Sequence, residues 1–213
     1  MNSNIYIEKM INGETNGETF KKCAELEKIA YQEYVVSFCN RMGYGTSWNN
    51  YEDNPDLQYQ GVDFWLLKPD GSKQSVSLKS RWNKPSPHFP HVADIAVEVL
   101  SCRKDRNGYN DGWGLKERTD WLLVTYPHYQ THVLIDTADG KFYEYVKRVS
   151  EEVKEEAYEL FYCSDPRRLS WKTLNKRTLI RPAGSTGGDN GVSVIIKLSE
   201  LKDAGIKYKI YSF

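Results

Sequence analysis

Asp63 and Lys79 are the two residues of this chain whose types and spacing point most directly to chemistry. They lie in two strand-like runs, Gln60-Gly61-Val62-Asp63-Phe64-Trp65-Leu66-Leu67 and Ser75-Val76-Ser77-Leu78-Lys79-Ser80-Arg81. A carboxylate and an ammonium on neighbouring strands can meet over one phosphodiester, the first holding Mg2+ and the second addressing water or the developing charge. That is the chemistry of a metal-dependent nuclease. The neighbourhood follows from Pro69-Asp70-Gly71, because Asp-Gly between two apolar runs predicts a β-hairpin. Lys79 by itself could simply be the solvent-facing member of an alternating strand, so its weight comes from the partnership with Asp63.

Two further carboxylates could join them. Glu98 is flanked by Val97 and Val99 in the run Asp94 to Leu100, where an unpaired charge would be costly unless metal, lysine or solvent accepts it. Glu33 falls in a helical pattern from about Glu18 to Met42, on the face of Ile29, Ala30 and Val36. It either reaches solvent at the edge of the apolar stripe or points from the helix toward the metal site.

These residues must be positioned by a sheet with helices around it. After the N-terminal helix and a polar stretch from Gly43 to Asp56 come the hairpin, the Pro-rich piece Pro85 to Pro90, and the strand carrying Glu98. A Gly-rich loop through Asp111-Gly112-Trp113-Gly114 leads to strands at Trp121 to Tyr126 and Thr131 to Ile135. Lys141 to Leu160 is an amphipathic helix, with Phe142, Tyr145, Val146, Val149 and Val153 on one face. Arg167 to Arg181 reads as basic and irregular, Pro182 to Gly191 as a loop, and 192–197 and 207–211 as short strands. The expected fold class is α/β, a central mixed β-sheet flanked by helices. At 213 residues the chain makes one domain, 1–213, with a core from about 18 to 160 and a C-terminal extension from about 161 to 213.

Composition narrows the partners. Lys plus Arg and Asp plus Glu are 29 each, so no global basic field attracts nucleic acid and any contact with it must be local. Lys79 to Lys84, Cys102 to Arg106, and Pro166 to Arg168 continuing through Lys172, Lys176, Arg177 and Arg181 offer such clusters, interleaved with Trp82 and Trp171. Each of them can also be an ordinary solvated loop. The four cysteines form no Cys-x-x-Cys pair, and no signal peptide or long apolar span is present, which points to a reducing cytoplasm and no membrane. His88, His91 and Cys102 lack the fourth ligand and the spacing of a structural zinc site.

The succession Gln60-x-Val62-Asp63, Ser77-Leu78-Lys79, Ile95-Ala96-Val97-Glu98, Gly112-Trp113 and Thr119-Asp120-Trp121-Leu122-Leu123 resembles the PD-(D/E)XK nuclease superfamily, in particular phage and bacterial members. The resemblance covers about Glu33 to Tyr126. It implies a restriction-endonuclease-like fold in which Asp63 is the first metal ligand, Lys79 the catalytic lysine, Glu33 an acid contributed by the first helix, and Gln60 an auxiliary near the metal or phosphate. Where such a family places its second acid this chain has Ser77, and Glu98 is the carboxylate that could replace it. The implied metal set is therefore Asp63, Glu98 and Glu33.

The implied function is hydrolysis of DNA phosphodiester bonds by water activated with Mg2+, for which Mn2+ could substitute. It would operate in the cytoplasm of a bacterium or a phage-infected host. Cutting both strands of a duplex calls for two active sites, hence a homodimer. The alternative, supported by Ser77, is a nuclease-like fold that no longer cleaves and serves as a DNA-binding or protein-interaction subunit. A third reading, an interaction protein without any nucleic-acid role, draws on the balanced charge and the 15 tyrosines.

Overall fold

A computed structural model describes residues 19–49, 54, 56–57, 60–81, 94–102, 110–116, 118–163, 172–174, 178–181 and 190–213. The clusters around Trp82 to Lys84, Arg103 to Arg106, Pro166 to Arg168 with Trp171, and Lys176-Arg177 lie outside the described residues, as do His88 and His91.

Helix α1 begins at Thr19–Ala30, widens to a π-helical segment at Tyr31–Val35 and closes as an α-helix at Val36–Arg41. Among the described residues eleven strands follow: β1 (Gly45–Trp48), β2 (Phe64–Leu67), β3 (Lys73–Ser80), β4 (Asp94–Cys102), β5 (Asn110–Asp111), β6 (Trp121–Tyr126), β7 (Thr131–Asp136), β8 (Lys172–Leu174), β9 (Thr178–Arg181), β10 (Asn190–Lys197) and β11 (Tyr208–Ser212). Helices α2 (Trp113–Lys116), α3 (Lys141–Cys163) and α4 (Leu198–Asp203) intervene. The fold is α/β, with a six-stranded mixed sheet in the order β1-β2-β3-β6-β7-β11 flanked by helices. In that sheet only β3 and β6 run parallel.

The predicted hairpin is present and its turn chemistry is explicit. Gly71 adopts φ 82°, which an L side chain rarely tolerates, and its N–H donates to the Lys68 carbonyl at 3.0 Å. Asp70 accepts from the backbone and the hydroxyl of Ser72 at 2.9 and 2.7 Å, and the strands pair from Phe64 opposite Val76 to Leu67 opposite Lys73.

Two expectations from the sequence are corrected. The strand carrying Glu98 does not enter the sheet of Asp63 and Lys79; β4 belongs to a second, antiparallel sheet of five strands, β5-β4-β10-β9-β8, and the neighbour of β3 is β6. Alternation along a strand reports which face is buried and not which sheet it joins. The basic stretch before Arg181, expected to be irregular, contains β8 and β9; β9 pairs with β10 on one side and β8 on the other, and β8 is the edge strand, where charge is tolerated and discourages further pairing. Strands β10 and β11 pair with β4 and β7, so both sheets contain chain from beyond residue 160.

The six-stranded sheet buries both faces, and this division positions the site. Tyr31, Val35, Phe38 and Cys39 of α1 pack on Phe64, Val76, Leu78 and Leu123. Leu122, Val124, Tyr126, Val133 and Ile135 look the other way, into a core shared with Ile95, Val97 and Val99 of β4 and Phe142, Val146 and Val149 of α3. In the parallel ladder Ser77 aligns with Leu122 and Lys79 with Val124, so Ser77 and Lys79 look toward β4 and α3, away from α1. Arg81, just past β3, pairs with Asp94 at the head of β4, and the Tyr126 hydroxyl donates to the Asp94 carbonyl at 2.6 Å. Those contacts tie the second sheet to the ends of β3 and β6.

His132 is fully buried on β7 between the rings of Phe38 and Phe213, at 4.5 and 4.3 Å, with Nδ1 3.0 Å from the Thr125 hydroxyl. Burial pushes its pKa down from 6.5 to about 4, Arg41 adds to the effect and the Tyr34 backbone opposes it. A folded-state pKa below the unfolded value means stability that is present above pH 6.5 and lost as pH falls toward 4. A shift of this size corresponds to roughly 3 kcal/mol. Urea unfolding at pH 7 and pH 4.5 is expected to show this loss, and His132→Gln to flatten that part of the pH profile.

Candidate active site

Asp63 reaches its position through a glycine-dependent turn. Gly61 takes φ 75°, and the Val62 N–H closes on the Leu57 carbonyl at 3.0 Å, a six-to-one hydrogen bond around a left-handed residue. The chain then enters the sheet. The Asp63 N–H donates to the Val76 carbonyl at 3.0 Å, its carbonyl accepts from the Asn49 N–H at 2.9 Å, and the Asn49 side chain holds the Val62 carbonyl at 2.8 Å. Phe64 faces α1, so Asp63 faces the opposite way, toward Ser77 and Lys79.

The carboxylate is buried, with 3% of the residue exposed. Its Oδ2 accepts the Leu78 backbone N–H at 2.6 Å and lies 3.4 Å from the Ser77 hydroxyl and 3.7 Å from Lys79 Nζ. Desolvation is the largest influence on its acidity and raises the pKa, although Lys79, the Leu78 N–H and Ser77 all pull the other way. Lys79 retains 20% side-chain exposure, and its ammonium sits 5.0 Å from the centre of the Trp113 ring. A buried carboxylate whose acidity is weakened by desolvation despite its partners suits a hard divalent cation, because a nearby positive charge favours the ionised form.

The remaining predicted residues are placed as follows. Glu98 lies half-buried on β4, and its backbone carbonyl is crowded by Gly112, the residue before Trp113. Glu33 is exposed, in the π-helical part of α1, beside the Tyr34 side chain whose pKa it helps raise. Gln60 is exposed in the turn before Asp63. The structure brings Asp63 and Lys79 together. Among the described residues no three or more His, Cys, Asp or Glu side chains gather as a metal cage, so Asp63, Glu98 and Glu33 do not form one. Mg2+ does not demand such a cage, because it commonly keeps several waters and takes one or two carboxylates together with substrate phosphate oxygens.

The sequence reading missed one cation beside this site. Arg118 is exposed, donates its backbone N–H to the Gln60 carbonyl at 3.2 Å, and lays its guanidinium 4.6 Å from the Tyr143 ring. Tyr143 is itself fixed, its hydroxyl accepting the Thr119 N–H at 3.1 Å. A stacked arginine is therefore presented at the loop that leads into Asp63. No spacing in the sequence relates Arg118 to Gln60, because the two meet only through β6, α3 and the hairpin.

No protein-family model matches the chain, and no curated protein matches it. Among solved structures it is similar to a bacterial homing endonuclease, I-Ssp6803I, at 15% identity over 59% of this chain and 73% of that one, with a TM-score of 0.38. A likeness at that score carries no argument about activity. Among the described residues no helix is long and apolar enough to cross a membrane.

The sign of the Asp63 shift gives a direct expectation. A folded pKa above the unfolded value of 3.8 means stability that is present at acid pH and lost as the group ionises. Asp63→Asn cannot ionise, so it is expected to raise the midpoint of thermal unfolding at pH 7 by about 2 °C or more, followed by circular dichroism. A lower midpoint would mean that the ionised carboxylate stabilises the fold.

Proposed function

We propose that this chain is a Mg2+-dependent DNA endonuclease of the PD-(D/E)XK type, with Asp63 as metal ligand and Lys79 as catalytic lysine. The observation that carries the reading is the buried Asp63 carboxylate 3.7 Å from the Lys79 ammonium, its acidity weakened by burial despite that partner. Groups with acidity displaced by desolvation and one specific charge partner cluster at functional sites.

In this reading Asp63, with Glu98 as the second carboxylate, would hold Mg2+, which when bound neutralises phosphate charge and acidifies water. The Leu78 N–H fixes the Asp63 carboxylate through Oδ2 and so sets the direction in which it presents itself. Lys79 brings its positive charge to the scissile phosphate, where negative charge grows during attack, and orients the incoming water. Arg118 and Gln60, exposed at the rim, are suited to contacts with the substrate backbone, which position nucleic acid without reading its sequence. Two copies acting together would cut both strands.

A second reading has its own observation. Ser77 stands where the second acid is expected and turns its hydroxyl to Asp63, and a neutral oxygen is a weak Mg2+ ligand. The protein would then bind DNA without cutting it.

Cleavage of supercoiled plasmid across Mg2+ and Mn2+ concentrations separates the two. The endonuclease reading predicts nicking that disappears with chelator and falls at least ~100-fold in Asp63→Ala and in Lys79→Ala, as expected when a group acting in the transition state is lost. Binding without nicking under every metal condition would overturn it in favour of the binding subunit. Mg2+ is also expected to raise the unfolding midpoint of the wild-type chain and to have no such effect on Asp63→Asn.

A further inference from the structure

Lys79 is a flexible four-carbon side chain, and its bond to Asp63 fixes only one end of a path it could sweep. A second contact limits it. The ammonium lies 5.0 Å from the centre of the Trp113 ring, within the range at which a cation is attracted to an aromatic face. The attraction matters more here than at an open surface, because only 20% of the Lys79 side chain remains exposed.

Trp113 is held in place by an arrangement that needs glycine on both sides. A Cβ on Gly112 would lie 2.3 Å from the Glu98 carbonyl oxygen and 2.7 Å from the Val99 nitrogen, both backbone atoms of β4. A Cβ on Gly114 would lie 2.1 Å from Val97 Cγ1 and 3.2 Å from Val146 Cγ1. The Gly112 N–H donates to the Val99 carbonyl at 2.9 Å. Helix α2 therefore starts pressed against β4 at a distance no larger residue allows, and Trp113 packs at the edge of the core while its ring meets Lys79. Two independent features meet at Trp113: its ring contacts the Lys79 ammonium, and its flanking glycines approach β4 closely.

We propose that Trp113 is a positioning residue that holds the Lys79 ammonium against Asp63, and that Gly112 and Gly114 serve to seat it. The catalytic consequence rests on the endonuclease reading, whereas the effect on Lys79 does not. The ring favours the charged amine, so removing it lowers the Lys79 pKa and lets the side chain leave Asp63.

The test uses the full chain and three variants, W113M, W113F and K79R. Lysines are labelled by reductive 13C-methylation, and the Lys79 signal is identified by its absence in K79R. The expected result is a Lys79 pKa about half a unit or more lower in W113M than in wild type, with a smaller shift in W113F, whose ring attracts a cation less strongly. With plasmid substrate, W113M is expected to lose about tenfold in kcat with little change in KM, and W113F to stay within about threefold of wild type, the pattern of a mispositioned group rather than weakened binding. Lys79 titrating as in wild type in both variants would overturn the proposal, even if cleavage falls, because the tryptophan would then be only a packing residue. Should W113M fail to fold, the titration of W113F decides in the same way. Should the wild type not cleave at all, the endonuclease reading fails and the Lys79 titration still decides the role of Trp113.

Discussion

The burial of the Asp63 carboxylate is the constraint on which the rest of the arrangement turns. An ionised carboxylate inside a protein must be matched by donors or charge; the Leu78 N–H, the Ser77 hydroxyl and the Lys79 ammonium are among its partners here, and desolvation has the larger influence on its acidity. A chain selected for stability alone would do better with a neutral residue at this position. A buried acid beside a lysine, with its acidity weakened by desolvation, is the physical basis for reading the place as a site and not as an ordinary ion pair.

The architecture sets the surroundings of that carboxylate. One face of the six-stranded sheet is given to α1 and is mostly apolar in its buried part, with His132 and Thr125 paired to each other there, which leaves the other face of β3 to carry Ser77 and Lys79. The layer of β4, α2 and α3 over that face supplies the aromatic ring beside Lys79 and is fastened by Arg81, Asp94 and Tyr126. Tyr126 has its hydroxyl pKa pushed up by burial, as expected of a neutral hydrogen-bond donor in the interior. Cys39, on the buried face of α1, has its thiol pushed up to about 12, which makes it a packing residue with little thiolate character.

Local signals in the sequence were enough for the hairpin and for the meeting of Asp63 with Lys79, because Asp70-Gly71 dictates a two-strand turn and alternation then places every second residue on one face. The α/β class, α1 and α3 were legible for the same reason, since their apolar spacing is a property of the element itself. What could not be read was long-range. Whether β4 joined the sheet of β3 depended on β10, almost a hundred residues further on. Glu33 shares a stretch of helix with buried residues yet is exposed where the helix widens to π, a change of periodicity that the apolar pattern does not announce. Trp113 read only as part of a Gly-rich loop, because its contact with Lys79 depends on two glycines meeting a strand that precedes them in the chain.

Asp63 is a buried acid whose ionised form desolvation disfavours and a divalent cation would favour. The most direct measurement is the pKa of its carboxyl carbon by 13C NMR, assigned with Asp63→Asn and titrated with and without Mg2+. The account predicts a value above the usual aspartate range in the absence of metal that falls when Mg2+ is added. An ordinary aspartate value that does not respond to Mg2+ would contradict it.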